Sequence, residues 1–208
     1  MGTTDRSIAQ NTILLYIRLI VVIFVAFFTQ RLVLKALGVD YGIYNVVGGL
    51  IVVIGIINTG MIQASQRFFA FEIGRGKQSE LKNIFGAALT IHALISIFVL
   101  LFAEILGVWF LNSIMTIPPD RLLAANFVFQ ATICSLLITV WTVPFDALII
   151  AKEDFNIYAY ISIVEYFLKL GIAYFISTFE LYDKLIIYSW LLVLVTILCK
   201  LWSIIYGK

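Results

Sequence analysis

The sequence is poor in charge and in cysteine. Only 12% of its 208 residues are Asp, Glu, Lys or Arg, whereas soluble domains contain about a quarter. The net charge of +2 comes without a basic block, which excludes a nucleic-acid partner. The two cysteines, Cys134 and Cys199, both lie in apolar runs, so we expect small buried side chains rather than a disulfide or a metal pair.

Catalytic and cofactor motifs are also absent from the sequence. It contains no GxxxxGK[ST] loop, no HExxH, no GxSxG and no aspartate-rich pair that would hold magnesium diphosphate. Asp146, Glu153 and Asp154 lie near one another in sequence, but their spacing fits no metal site. We therefore predict a protein that is not an enzyme and that uses no metal or cofactor.

Apolar residues make up 62% of the chain. A window of about 19 residues finds six apolar stretches, near 12–34, 43–63, 84–111, 122–150, 156–178 and 184–206. Each is long enough to cross ~30 Å of hydrocarbon as a helix, and these runs lack the alternation of barrel strands. The predicted fold class is all-α, a polytopic membrane bundle of six transmembrane helices forming a single domain over residues 1–208.

Lysine and arginine are distributed unevenly between the two ends of the predicted bundle. With a cytoplasmic N-terminus, the inner segments hold Arg6, Arg67, Arg75, Lys77, Lys82, Lys152 and Lys208. The opposite side holds Lys35, Arg121 and Lys184, with Arg31 close to it. The positive-inside bias therefore predicts that both termini are cytoplasmic. The first stretch is too long for a signal-peptide core, so we expect it to remain in the mature protein.

The longest polar segment, residues 64–83, joins the second and third stretches. Gly74 and Gly76 predict a turn there, followed by a new helix near Ser79, which is expected to cap it. Arg75 and Lys82 would face anionic lipid headgroups. The segment is interpreted either as an interfacial joint or as a segment with a direct role in gating or headgroup capture.

Seven ionisable residues lie inside the predicted spans, where a charge costs about 3 kcal/mol even on the insertion scale. They are Arg18, His92, Glu104, Asp146, Glu165, Lys169 and Lys200. Glu165 and Lys169 are four residues apart and can pair on one helix face, as a structural pair or as part of a site. Glu104 and Lys200 lie near span ends, so we expect their charged heads to reach the interface.

Arg18 lies about one and a half turns inside the first span, with no acidic residue within four positions. Such a guanidinium needs a partner helix, water or an anionic ligand, and its fork suits phosphate oxygens. The alternative is that Arg18 extends to the cytoplasmic headgroups. His92 has no second ligand at metal spacing, so we expect a packed or hydrogen-bonded histidine.

Three residues are hinge candidates. Gly48 and Gly49 in the second span weaken helical preference and allow close approach or bending. Pro144 removes a backbone donor just before Asp146 and is expected to kink its helix. A broken helix beside a carboxylate is typical of alternating-access transporters, although structural kinks are also common.

Three segments of the sequence resemble sequences of one protein family. They are NTILLYIRLIVVIFVAFFTQRLVLKALGVDYGIYNVVGG (11–49), NTGMIQASQRFFAFEIGRGK (58–77) and VPFDALIIAKEDFNIYAYISIVEYFLKL (143–170). Together they resemble the N-terminal half of bacterial polysaccharide-export flippases. These are the O-antigen and lipopolysaccharide biosynthesis transporters of the multidrug/oligosaccharidyl-lipid/polysaccharide exporter superfamily.

The resemblance implies two six-helix lobes that face each other across a V-shaped, cationic cavity. It also implies transport of undecaprenyl-pyrophosphate-linked oligosaccharide across the bacterial cytoplasmic membrane. Arg18 would then bind substrate, and Asp146, Glu165 and Lys169 would be coupling or cavity residues. The expected partners are that lipid-linked saccharide and membrane lipids. Since only six spans are predicted, the sequence is interpreted as a fragment, as a lobe that pairs with a second lobe, or as a non-functional chain.

Three other functions stay open at this point. In a drug or cation antiporter, Asp146 or Glu165 would couple transport to an ion gradient. In a membrane enzyme acting on prenyl-phosphate sugars, the carboxylates would come from Glu153 and Asp154 in the dense charged group Lys152, Glu153 and Asp154. In a purely structural role, the bundle would be a scaffold for biosynthetic partners.

Overall fold

The computed structural model describes residues 3–180 and 182–207, with side chains from residue 12 onward except in 50–57. Every regular element within these residues is helical. The helices are α1 (Thr3–Leu37), α2 (Asp40–Gly74), α3 (Gln78–Phe102), α4 (Val108–Ser113), α5 (Leu122–Ala151), α6 (Phe155–Thr178) and α7 (Lys184–Gly207). A π-helical turn, Ala103–Gly107, joins α3 and α4 into one continuous helical segment.

The prediction of an all-α fold is confirmed. Five helical segments also have the length and composition predicted for membrane spans. These segments are long and apolar enough to cross a bilayer: Thr12–Leu37, Gln78–Ser113, Leu122–Ala151, Phe155–Thr178 and Lys184–Gly207. The remaining predicted span, 43–63, lies within α2, but the side chains of 50–57 lie outside the described residues. Six spans therefore stay a prediction.

Two turns at the same end of the bundle use one hydrogen-bond pattern. After α2, Gly76 N–H donates to the Ile73 carbonyl at 3.0 Å and Lys77 N–H to the Glu72 carbonyl at 3.3 Å. Gly76 has φ +67°, the left-handed conformation that this Schellman turn requires. The predicted turn is therefore confirmed. The prediction that Ser79 caps α3 is wrong, because the turn ends sooner than predicted. α3 already begins at Gln78, so Ser79 lies inside the helix.

The turn after α5 repeats this pattern with a different residue. Glu153 N–H donates to the Ile150 carbonyl at 3.0 Å and Asp154 N–H to the Ile149 carbonyl at 3.2 Å. Here Glu153 takes the left-handed position, with φ +60°. Lys152, Glu153 and Asp154 are all exposed on this turn, so the densest charged group of the sequence terminates a helix.

α5 is the central helix of the bundle. It packs against α2, α3 and α7, and all of its residues from Thr142 to Ile149 are buried. A helix that is apolar on every side is expected in such a position. At the π-helical turn, a Cβ atom on Gly107 would lie 2.4 Å from Cζ of Phe129 on α5, so a larger residue there would require the Phe129 ring to move.

α1 lies at the edge of the bundle, away from the central helix α5. Although α1 and α2 are consecutive, α1 packs mainly on α6 whereas α2 packs on α5. α1 leaves a row of large apolar side chains more than half exposed, namely Ile13, Ile17, Ile20, Ile23, Phe24 and Phe27. An apolar surface of this extent needs lipid or another protein surface to cover it.

Candidate functional site

The α1–α6 seam is a pair of cavities between the two helices. One cavity, of about 400 Å³, is lined by Leu14, Ile17, Arg18, Tyr160 and Ile163 among others. The second, of about 630 Å³, is lined by Phe28, Arg31, Phe167, Gly171 and Tyr174 among others. Each cavity thus contains one arginine of α1, and the helix rise places the two arginines roughly 20 Å apart along the axis.

Arg18 is held by an aromatic ring of the neighbouring helix. Its Cζ atom lies 4.6 Å from the ring centroid of Tyr158 on α6, a cation–π contact. Its Nε is buried and has no hydrogen-bond partner among the described residues. A buried donor left unpaired is costly, and more so when it belongs to a charged group. The site therefore has hydrogen-bonding capacity available for an anionic oxygen.

The tyrosine cavity lies where α1, α2, α6 and α7 meet. It measures about 170 Å³, and its polar lining consists of Thr29, Gln30, Tyr41, Tyr44, Tyr166, Lys169 and Tyr188. The rings of Tyr44 and Tyr188 pack edge to face at 5.3 Å between centroids. Gln30 Nε2 donates to the Tyr41 hydroxyl at 3.0 Å, which joins α1 to α2. Four phenol groups and an ammonium thus meet at one opening.

Glu165 and Lys169 form the predicted pair on α6. Lys169 Nζ donates to Glu165 Oε1 at 2.6 Å, and both side chains are about 30% exposed, at 31% and 29%. Lys169 Nζ also lies 5.3 Å from the Tyr166 ring centroid. By the helix rise, Lys169 is roughly 14 Å from the end of α6, so the charged pair lies well inside this candidate span, and Lys169 lines the tyrosine cavity.

Asp146 belongs to a separate, buried network between α5 and α7. Lys200 Nζ donates to Asp146 Oδ2 at 2.5 Å, and Ser203 Oγ donates to Oδ1 at 2.6 Å. Lys200 is therefore paired with an acid on another helix, and its expected extension to the interface stays a prediction. Both oxygens of Asp146 are occupied, and the side chain is only 9% exposed.

The other ionisable residues within the predicted spans have neutral hydrogen-bond partners. His92 is hydrogen-bonded as expected, with Nδ1 2.7 Å from the Ala88 carbonyl oxygen. Glu104 is exposed and accepts a hydrogen bond from Gln130 at 3.3 Å. Cys134 and Cys199 are both free thiols; Cys199 is buried and Cys134 half-buried.

The hinge candidates lie inside continuous helices. Gly48 and Gly49 are part of unbroken α2, and a Cβ at either position would meet no atom within 4 Å. Pro144 is buried within α5, which the proline does not interrupt. Bending at these three positions stays a prediction.

A three-loop clamp was missed by the sequence analysis. Arg121 Nε donates to Asp40 Oδ1 at 2.9 Å and Nη1 to Asp183 Oδ2 at 3.1 Å, while Nη2 bonds to the second oxygen of Asp40. Asp183 also accepts from the Leu185 and Ile186 N–H groups at the start of α7. Partial burial opposes the charge of Arg121, but the bonds to Asp40 and the charge of Asp183 raise its pKa.

The clamp joins the α1–α2, α4–α5 and α6–α7 connections at one end of the bundle. Its only sequence signal was one arginine between two spans, and the two aspartates are 81 and 62 residues away from it. Pairing over such distances depends on the fold, so the residue spacing did not reveal it.

No metal site can be assembled from the residues that the structure describes, since no three His, Cys, Asp or Glu side chains come together there. Comparisons with protein-family models, curated proteins and solved structures find no match. Function is therefore inferred from the geometry of this chain and from the resemblance of segments 11–49, 58–77 and 143–170 to polysaccharide-export flippases.

Proposed function

We propose that this chain is one lobe of a flippase that moves undecaprenyl-pyrophosphate-linked oligosaccharide across the bacterial cytoplasmic membrane. The observation that carries the proposal is Arg18 in the α1–α6 seam, whose buried Nε has no hydrogen-bond partner within the described part of the chain. A guanidinium at this depth is stable only with a counter-charge or strong acceptors. A diphosphate supplies both.

The stacking of Arg18 suits it to bind a diphosphate. Tyr158 covers one face of the guanidinium, and phosphate oxygens are recognised through the N–H groups at its edge. Arg31 lies in the second cavity of the same seam. Two cationic positions roughly 20 Å apart would offer the headgroup one contact nearer each side of the membrane.

The apolar surroundings suit the prenyl chain, and the tyrosine cavity suits the saccharide. The Arg18 cavity is lined mainly by aliphatic side chains such as Ile13, Leu14 and Ile17, which would contact a hydrocarbon. Tyr41, Tyr44 and Tyr188 present hydroxyl groups and ring faces at the neighbouring cavity, where sugar hydroxyls can exchange hydrogen bonds.

A second lobe is part of this proposal. Alternating access requires two bodies that rock against each other around a central site. The exposed apolar row on α1 needs a cover, and a facing lobe would provide it. That lobe would come either from a longer chain or from another subunit. Both termini would be cytoplasmic, as the lysine and arginine counts predict.

The test is polysaccharide export in cells that carry Arg18→Ala or Arg18→Glu at the native locus, so that any second lobe is present. We expect Arg18→Ala to reduce flux at least ~10-fold, since charge-assisted hydrogen bonds contribute about 1.5–3 kcal/mol, and Arg18→Glu to abolish it. Arg67→Ala, an exposed arginine of α2, is the matched control and should leave flux unchanged. Full flux in both Arg18 variants at normal expression would contradict the proposal.

One observation favours a cation-coupled antiporter as the second candidate. Lys169, the ion-pair partner of Glu165, lines a cavity with several tyrosine rings, and aromatic ring faces attract an organic cation. In this case Glu165→Gln would abolish ion-gradient-dependent efflux of such cations while polysaccharide export continued. Asp146 is less suited to coupling, since Lys200 and Ser203 occupy its oxygens.

A further inference from the structure

The α2–α3 groove is a cavity remote from the α1–α6 seam. It measures about 510 Å³ and is lined by Met61, Ser65, Phe68, Ile84, Ala88 and His92 among others. This volume is within the range of small-molecule sites, which are mostly apolar with a few polar groups. The polar side chains among its lining residues are Ser65 and His92, and both are buried.

His92 brings one unused hydrogen-bond acceptor to this groove. Its Nδ1 lies 2.7 Å from the Ala88 carbonyl oxygen. Because a carbonyl only accepts, Nδ1 carries the proton, and Nε2 of the neutral ring is an acceptor. Nε2 is buried, on a residue that is 5% exposed, and has no hydrogen-bond partner among the described residues. Residues 50–57 of α2 have only apolar side chains or none, so their side chains offer no donor.

We propose that the α2–α3 groove binds a membrane-soluble alcohol, a molecule with an apolar body and a hydroxyl group that donates to Nε2 of His92. The apolar body would lie along Phe68 and Ile84, between His92 and the α2–α3 turn. Position 92 is roughly 21 Å along α3 from its start. Water is scarce at that depth, so the hydroxyl has few other partners.

Other membrane molecules fit this groove less well. A carboxylate or an ester carbonyl only accepts hydrogen bonds and would leave Nε2 unpaired. An ammonium group can donate, but no acidic side chain is among the described residues that line the groove, and an unpaired cation in apolar surroundings is costly. A neutral hydroxyl donor satisfies Nε2 without adding charge.

The test uses the single histidine of the chain. The full chain, labelled with ¹⁵N-histidine and placed in lipid nanodiscs, is titrated with 1-hexadecanol and separately with its methyl ether, which lacks the donor. We expect a saturable shift of the Nε2 resonance with the alcohol only. One neutral hydrogen bond predicts that the alcohol binds about 2- to 10-fold more tightly than the ether.

Two variants separate this hydrogen bond from simple partition into lipid. In His92→Leu, alcohol and ether are expected to compete equally for the groove, measured by displacement of a photoreactive alkyl probe. In Thr90→Val, on the same helix, the preference for the alcohol should persist, because Thr90 is exposed, donates to the Gly86 carbonyl of its own helix, and does not line the groove as described. Equal affinity of alcohol and ether in the unmodified chain, or an unmoved Nε2 resonance at saturation, would overturn the proposal. That titration decides the question even if His92→Leu fails to fold.

Discussion

Two ion pairs within the apolar part of this bundle have similar chemistry and different surroundings. Asp146 and Lys200 join α5 to α7 across 54 residues of sequence, with Ser203 as a third partner. Glu165 and Lys169 are one turn apart on α6, and Lys169 lines the tyrosine cavity. The side chain of Asp146 is buried, whereas the α6 pair is about one-third exposed. The α5–α7 pair therefore holds α5 and α7 together, whereas the charged groups of the α6 pair are accessible to a ligand.

The largest predicted effect is the loss of the α5–α7 pair. Asp146→Ala removes the acid and leaves Lys200 with a largely buried charge and no counter-ion, which is expected to cost about 3 kcal/mol of unfolding free energy. The measurement is denaturant unfolding of the purified chain in mixed micelles.

The control for this prediction is the double replacement Asp146→Leu with Lys200→Met. Since replacing a whole buried pair with apolar residues is often nearly neutral, we expect it to recover most of the loss. If Asp146→Ala alone were as stable as the unmodified chain, the α5–α7 pair would not fix these helices.

The next largest effect is expected at the three-loop clamp. Arg121→Gln leaves Asp40 and Asp183 without their cation and should lower stability by about 2 kcal/mol, less than the buried pair because all three side chains are partly exposed. Arg121→Lys keeps the charge but loses the two-pronged bond to Asp40, so an intermediate loss is expected. A loss in Arg121→Lys as large as in Arg121→Gln would show that the charge itself contributes little.

The two Schellman turns give a pair of smaller effects with opposite signs. Gly76→Ala places a side chain in the left-handed conformation and should destabilise by about 1 kcal/mol, whereas Glu153→Gly relieves the same strain and should stabilise by up to about 1 kcal/mol. Thermal unfolding of both variants checks this. Equal shifts of the same sign would mean that backbone conformation does not govern these turns.

The smallest stability effect is expected for the α6 pair. Glu165→Gln should cost about 0.5 kcal/mol or less, as for other pairs one turn apart on a helix, and much less than Asp146→Ala. If Glu165→Gln proved as destabilising as Asp146→Ala in the same unfolding assay, the two pairs would contribute equally to stability. The contrast between a pair that holds two helices together and a pair accessible to a ligand would then be wrong.

Much of the fold could be predicted from hydropathy, because the predicted spans 122–150, 156–178 and 184–206 differ from α5, α6 and α7 by at most one residue at each end. The Glu165–Lys169 pair could also be predicted, since both residues are on one helix. Contacts between helices could not. Nothing near Lys200 in sequence indicates Asp146, and nothing near Arg121 indicates Asp183, because their proximity depends on helix packing. The contact of Arg18 with Tyr158 likewise depends on how α6 packs against α1.

The most direct test of the central claim is binding of undecaprenyl diphosphate to the full chain in nanodiscs, followed by ³¹P NMR. Saturable shifts of the diphosphate resonances are predicted, with affinity reduced roughly 10- to 100-fold in Arg18→Gln, the range expected for charge-assisted hydrogen bonds. Arg67→Gln should bind like the unmodified chain. Equal affinity of Arg18→Gln and the unmodified chain would contradict the assignment of the α1–α6 seam as the headgroup site.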